Sequence, residues 1–211
     1  MFPRLYAVCD ADVCACGGWA LTDFAAACLE GGARLLQIRA KRAASNSFLA
    51  DTRAIVERAR RVGATVIVND RADIARLAGA DGVHVGQDDL DAAAVRTIVG
   101  ADAIVGLSTH TPDQIEAAVR QPISYLAVGP VFGTATKSTG YQAVGTNLVA
   151  RAAAAAGATA IPIVAIGGIT LDRAPEVIAS GAASLAVISD LFTGGDPAAR
   201  VAAYVDRLSR V

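Results

Sequence analysis

Short apolar runs rich in β-branched residues alternate with alanine-rich stretches along the whole chain. The runs are Leu5–Cys9, Leu35–Arg39, Thr65–Asn69, Gly82–Val85, Ala103–Leu107, Tyr125–Val128, Ile163–Ile166 and Ser184–Ile188. Most are continuously apolar rather than alternating, which is the pattern of strands covered on both faces, as in a parallel sheet. Between them, Ala20–Glu30, Phe48–Arg60, Pro112–Arg120 and Asn147–Ala156 read as helices, and a last helix runs from about Pro197 to Leu208. Thr111-Pro112 and Asp196-Pro197 each place a capping residue before a proline at the first helical position. Eight strands, each followed by a helix or turn, predict an α/β fold: a single (β/α)8 TIM barrel, taken as one domain over residues 1–211. A doubly wound sheet is the alternative arrangement of the same elements.

Composition narrows the classes. With 211 residues, 54% hydrophobic and 18% charged, the chain is too apolar for a disordered segment and long enough to bury a full core without disulfide or metal staples. The net charge of -1 argues against nucleic acid or an anionic membrane as the main partner. Arg4 and Asp10 bracket too short an apolar stretch for a secretory signal. The uncharged stretch Ala152–Leu171 is alanine-rich and interrupted by Gly157, Pro162 and Gly167-Gly168, so it reads as a helix end, a loop and a buried strand rather than a membrane span. A cytoplasmic location follows as an expectation. Four cysteines, Cys9, Cys14, Cys16 and Cys28, cluster near the start. They show no Cys-x-x-Cys pair and no nearby His, so reduced thiols are favoured over a zinc site.

In a barrel of this kind the active site lies at the C-terminal strand ends. Strand alternation turns Gln37 and Arg39 to the barrel mouth, while Leu36 and Ile38 turn to the helices. Three groups of residues stand out there. Arg39, Lys41 and Lys137 form a cationic group suited to phosphate oxygens, with surface salt bridges as the alternative. Asp70 and Asp89 offer hard oxygen ligands for Mg2+, with helix capping as the alternative. A metal beside cations makes sense only if a polyanion lies between them. The third group is Gly167-Gly168, Ser189 and the Thr134-Ala135-Thr136 loop, where backbone N–H groups and hydroxyls suit a phosphate. His84, flanked by Val83 and Val85, reads as a satisfied interior residue, and His110 as a helix cap. Ser108 and His110 have no evident Asp to complete a hydrolase triad, and neither a Walker loop nor an early G-x-G-x-x-G is present.

The stretches LYAVCD, LLQIRAK, VIVNDRADIARLAGADGVHVGQDDL, VGLSTHT, YLAVGPVFGTATK, IPIVAIGGI and LAVISDLF together resemble the thiamine-phosphate synthase family, over nearly the whole chain. The resemblance implies a transferase. It would join 4-amino-2-methyl-5-(diphosphooxymethyl)pyrimidine to a thiazole phosphate, or its carboxylated form, releasing thiamine phosphate and diphosphate. Carried over by motif, the pyrimidine-diphosphate site falls on Gln37, Arg39, Lys41, Asn69, Ser108 and Lys137, with Arg39, Lys41, Ser108 and Lys137 in catalytic roles. The Mg2+ ligands fall on Asp70 and Asp89. The thiazole-phosphate site falls on Thr134, Ala135, Thr136, Gly168, Ile188 and Ser189. The family mechanism is dissociative: diphosphate leaves, a pyrimidine carbocation forms, and the thiazole nitrogen attacks it. The Gly/Thr-rich stretch Gly133–Gly145 is expected to act as a lid against water. Ala40 stands where the family often has an acidic residue, and the Cys9–Cys16 region is also unusual. Partners are expected to be small molecules, with a homo-oligomer left open. The competing readings are a thiazole tautomerase paralogue on the same barrel, a non-catalytic phosphate-binding regulatory barrel, and a phospho-sugar isomerase. The first has no need of the cation and carboxylate groups, and the last would want an acid/base pair that Asp10 and Asp70 do not evidently make.

Overall fold

In a computed structural model of the chain, which describes residues 2–134, 142–157 and 159–211, parallel strands close into a barrel in chain order, β1 through β8. The strands are β1 (Leu5–Asp10), β2 (Leu35–Arg39), β3 (Thr65–Asn69), β4 (Gly82–Val85), β5 (Ile104–Thr109), β6 (Tyr125–Val128), β7 (Ile163–Ile166) and β8 (Ser184–Val187). Closure comes from β1 pairing with β8, Leu5 opposite Leu185 and Ala7 opposite Val187. The doubly wound alternative is thereby excluded, because an open sheet leaves its edge strands unpaired.

The helices among the described residues are α1 (Ala11–Cys16), α2 (Leu21–Glu30), α3 (Ser45–Arg61), α4 (Ala72–Ala78), α5 (Ala92–Val99), α6 (Pro112–Ala118), α7 (Gly145–Ala156), α8 (Ala174–Ala179) and α9 (Pro197–Ser209). Thr111 caps α6 by accepting the Gln114 N–H at 3.3 Å, and Asp196 caps α9 by accepting that of Ala199 at 3.0 Å. The expectation that His110 caps a helix is corrected: Thr111 holds that place, and the His110 Nδ1 instead contacts the Gly129 carbonyl oxygen. Ala152–Leu171 divides into the end of α7, a connection and β7. Among the described residues no helix is long and apolar enough to cross a membrane.

Strand periodicity sorts the core into two layers. Leu36, Ile38, Val66, Val68, Val83 and Val85 face outward and pack under the helices. Tyr6, Val8, Leu35, Ile67, Tyr125, Val164 and Ala186 fill the barrel interior. An inward Tyr125 needs room that its neighbour on β5 supplies. Gly106 lies opposite it, and a Cβ there would fall 2.0 Å from the Tyr125 Cζ. The four cysteines are free thiols, with Cys9, Cys14 and Cys28 buried and Cys16 exposed. No group of three His, Cys, Asp or Glu side chains among the described residues is placed to hold a metal ion.

Candidate functional site

The strand ends open into one cleft of about 1030 Å³. Arg39, Lys41, Asn69, Asp70, Asp89, Ser108, Thr134, Gly168, Ile188 and Ser189, all singled out from the sequence, line it together. Gln37 lies one layer deeper, 3% exposed. Its Nε2 donates to the Tyr6 hydroxyl at 2.9 Å, and its Oε1 has no hydrogen-bond partner among the described residues. Ala135, Thr136 and Lys137 lie outside the described residues, as does most of the expected lid Gly133–Gly145.

Arg39 is set by register. β1 and β2 run parallel with Asp10 opposite Arg39, so two consecutive strands end in opposite charges side by side. The Arg39 Nη1 donates to Asp10 Oδ2, with the two side chains 15% and 3% exposed. The surface salt bridge weighed from the sequence is therefore replaced by a largely buried one. Asp10 does double duty. Its Oδ1 accepts the N–H groups of Asp12 at 3.1 Å and Val13 at 3.2 Å and caps α1.

Neither carboxylate of the anionic group caps a helix. Arg71 occupies the N-cap position of α4, and Asp91, not Asp89, caps α5 by accepting the Ala94 N–H at 2.8 Å. Asp70 takes the left-handed conformation, φ 63°, which Asp tolerates better than most side chains. Its N–H donates to the His84 carbonyl oxygen at 2.8 Å. This abrupt turn at the end of β3 sends the carboxylate toward Lys41 Nζ, 3.0 Å away, and toward the carboxyl group of Asp89. Asp89 is held in turn by the Gly86 N–H at 2.8 Å. Burial pushes the Asp70 carboxyl above its usual range; the Lys41 ammonium opposes that rise, and Asp89 adds to it. Two carboxylates held this close gain from a shared divalent cation. One or two carboxylates completed by water and phosphate oxygens is the usual setting of Mg2+, so the donor set here fits that ion.

The opposite side of the cleft suits a phosphate. Gly168 has φ +63°, and a Cβ on it would fall 2.6 Å from the Gly133 carbonyl oxygen. Only glycine lets the loop after β7 lie this close to the loop after β6. Asp190 ties the neighbouring pieces together, accepting from Leu171 N at 3.2 Å, from Arg200 Nη2 at 2.7 Å and from the Tyr204 hydroxyl. It thereby fixes the short 3-10 turn Ser189–Phe192 against α9. Burial pushes the Tyr204 phenol well above its usual range, with Asp190 adding to the effect.

Sequence reasoning missed several lining residues. Arg173 lies with its guanidinium carbon 4.4 Å from the Phe132 ring centroid, beside Gly168. It pairs with no carboxylate among the described residues, unlike Arg39, Lys41 and Arg200. Its position one residue before α8 gave no sequence signal. Gln87 donates to the Ser108 carbonyl oxygen at 2.6 Å. His84 reaches the cleft floor, and its Nε2 lies 2.8 Å from the Ser108 Oγ.

Comparison with known proteins points one way. A family model described as thiamine monophosphate synthase matches residues 5–191. A thiamine-phosphate synthase of Koribacter versatilis is 42% identical over 98% of this chain and 96% of its own length. One from Laribacter hongkongensis is 41% identical over 92% of this chain and 90% of its own length. Among solved structures, a thiamine phosphate pyrophosphorylase from Pyrococcus furiosus superposes with a TM-score of 0.87 at 26% identity, covering 98% of this chain and 96% of that one.

Proposed function

The chain belongs to the thiamine monophosphate synthase family, and from that premise we propose how its cleft does the work of a transferase of thiamine biosynthesis. The substrates are a pyrimidine bearing a diphosphooxymethyl group and a thiazole phosphate. The observation that carries the reading is the sorting of charge across one cleft. Asp70 and Asp89 stand beside Lys41 and Arg39, while the glycine loop after β7 and Ser189 stand opposite. A group of carboxylates and cations together is matched by a metal-bound diphosphate, and by no single anion or cation alone.

In this reading Asp70 and Asp89 hold Mg2+, which when bound neutralises charge on the diphosphate. Arg39 and Lys41 add donors to the same oxygens, joined by Lys137 from outside the described residues. The bond from the pyrimidine methylene carbon to oxygen breaks, and the diphosphate leaves with the electron pair. The 4-amino group of the ring donates into the resulting cation. The thiazole nitrogen then supplies the pair for the new carbon–nitrogen bond, and a carboxylated thiazole loses CO2 afterwards. No protein nucleophile is required. The protein's tasks are to stabilise departing charge, to align the thiazole by its phosphate and to keep water away from the cation.

The phosphate of the thiazole is assigned to Gly168, Ser189 and the Thr134–Thr136 loop, with Arg173 on the solvent side. Gln37, Asn69 and Ser108 are assigned to the pyrimidine diphosphate. The cation and carboxylate groups are superfluous for a tautomerase acting on a thiazole phosphate alone. Four free thiols accord with a cytoplasmic enzyme. The test is direct: purified protein, Mg2+ and both substrates, assayed for thiamine phosphate and diphosphate. Absence of both products with folded protein overturns the proposal.

A further inference from the structure

Four hydrogen bonds, three of them buried, run in series across the barrel interior, and the middle two link strands that are not neighbours. Gln37 Nε2 on β2 donates to the Tyr6 hydroxyl on β1 at 2.9 Å. The Tyr6 and Tyr125 hydroxyls are 2.9 Å apart. The Tyr125 hydroxyl, on β6, lies 2.8 Å from His84 Nδ1 on β4. His84 Nε2 lies 2.8 Å from Ser108 Oγ on β5, at the floor of the cleft. The rings hold this line firmly. Tyr6 and Tyr125 meet edge to face, with centroids 5.9 Å apart, and His84 lies within 15° of the Tyr125 plane. The absence of a side chain at Gly106 is what admits the Tyr125 ring.

Satisfying every buried hydroxyl proton fixes a direction. The Gln37 amide gives its proton to the Tyr6 oxygen, so the Tyr6 proton must go to the acceptor within reach, the Tyr125 oxygen. The Tyr125 proton then goes to His84 Nδ1. With the Gln37 nitrogen facing Tyr6, as in the structure, any other order strands a phenol proton in the core, which costs about 1–3 kcal/mol. Burial also drives both phenols well above their ordinary range, so both keep their protons. With Nδ1 accepting, the neutral imidazole carries its proton on Nε2.

We propose that His84 is a positioning residue: held as the Nε2–H tautomer by this one-way chain, it donates to Ser108 Oγ and so commits the Ser108 hydroxyl proton to the anion leaving in the cleft. The role of Ser108 rests on the function proposed above; the tautomer does not. With its oxygen already engaged, the Ser108 hydroxyl meets a departing diphosphate as a donor aimed in advance, which is how preorganised donors lower a barrier.

The first experiment reads the tautomer on the unaltered protein, without substrates. The chain has two histidines, so ring nitrogen-15 shifts assign readily once a His110→Asn protein removes one set. A protonated Nε2 with an unprotonated Nδ1 on His84 is the expected result, and an Nδ1–H or doubly protonated ring overturns the proposal. Tyr125→Phe keeps the ring and removes the donor to Nδ1; loss of the single tautomer is expected, and an unchanged spectrum overturns the chain as its cause. The second experiment is kinetic. Gln places its amide nitrogen where Nε2 stands and can still donate to Ser108, whereas Asn reaches only the Nδ1 position. His84→Gln is expected to turn over about tenfold faster than His84→Asn, the worth of one hydrogen bond toward a charged group. Equal kcat in the two, with equal melting temperatures, overturns the proposal. If the unaltered protein shows the expected tautomer yet makes no thiamine phosphate, the proposed function fails and the assignment of His84 stands.

Discussion

Asp10 ends β1 with its two oxygens committed to different neighbours, one to the first amides of α1 and the other to Arg39. Two substitutions separate these contributions. Asp10→Asn keeps one oxygen, enough to go on capping α1, and sets an NH2 donor against the Arg39 guanidinium, so the ion pair is lost at a cost of about 3–5 kcal/mol. Asp10→Ala removes the cap, about 1 kcal/mol, and also strands the Arg39 guanidinium in a largely buried position, about 3–5 kcal/mol. The sum, about 4–6 kcal/mol, is a large part of the 5–15 kcal/mol that holds an ordinary domain together. Denaturant unfolding followed by circular dichroism measures both proteins, with the slope expected to stay constant while the midpoint falls. Arg39 also loses its anchor at the cleft, so KM for the pyrimidine diphosphate is expected to rise in Asp10→Asn even where the protein is fully folded. A midpoint for Asn equal to that of the unaltered protein would refute the reasoning, because it would make the Arg39 pair worthless to stability.

Other substitutions address the remaining elements. Asp89→Ala is expected to lower Mg2+-dependent turnover about 100-fold or more with little change in melting temperature, since Asp91 and not Asp89 caps α5. The converse holds for Asp91→Ala, expected to lose about 1 kcal/mol of stability and to keep its turnover; a matched loss of both properties in either protein would contradict the assignment. Gly106→Ala drives a methyl group into the Tyr125 ring and is expected to cost about 3 kcal/mol, roughly 6–12 °C in melting temperature. Arg173→Ala is expected to raise KM for the thiazole phosphate about tenfold with kcat little altered, the signature of binding lost equally from ground and transition states. An unchanged KM would remove Arg173 from the phosphate site.

The strands were legible because a strand buried on both faces is written as an unbroken apolar run; Leu35–Arg39, Thr65–Asn69 and Gly82–Val85 fall where the pattern put them. Helix α1 was not, because six residues among cysteines carry too little periodicity to announce a helix. The Asp10–Arg39 pair could have been anticipated, since consecutive parallel strands of a barrel bring their ends together. Asp70 shows the limit of local reading. A carboxylate just before a helix looks like a cap, and only its positive φ shows that it turns to the cleft instead. The Gln37 to Ser108 chain was hidden for another reason. Alternation tells that His84 points inward, but which side chain it meets there depends on strands far apart in sequence, such as β1 and β6.

Ring closure between β1 and β8 joins Leu5 to Leu185, so the last strand of the barrel is made long after the first. A nascent chain still missing β8 has neither Ile188 nor Ser189 at its cleft, and so lacks part of the phosphate site proposed above. Affinity for a thiazole phosphate should therefore arrive late in synthesis, only once β8 has joined the ring.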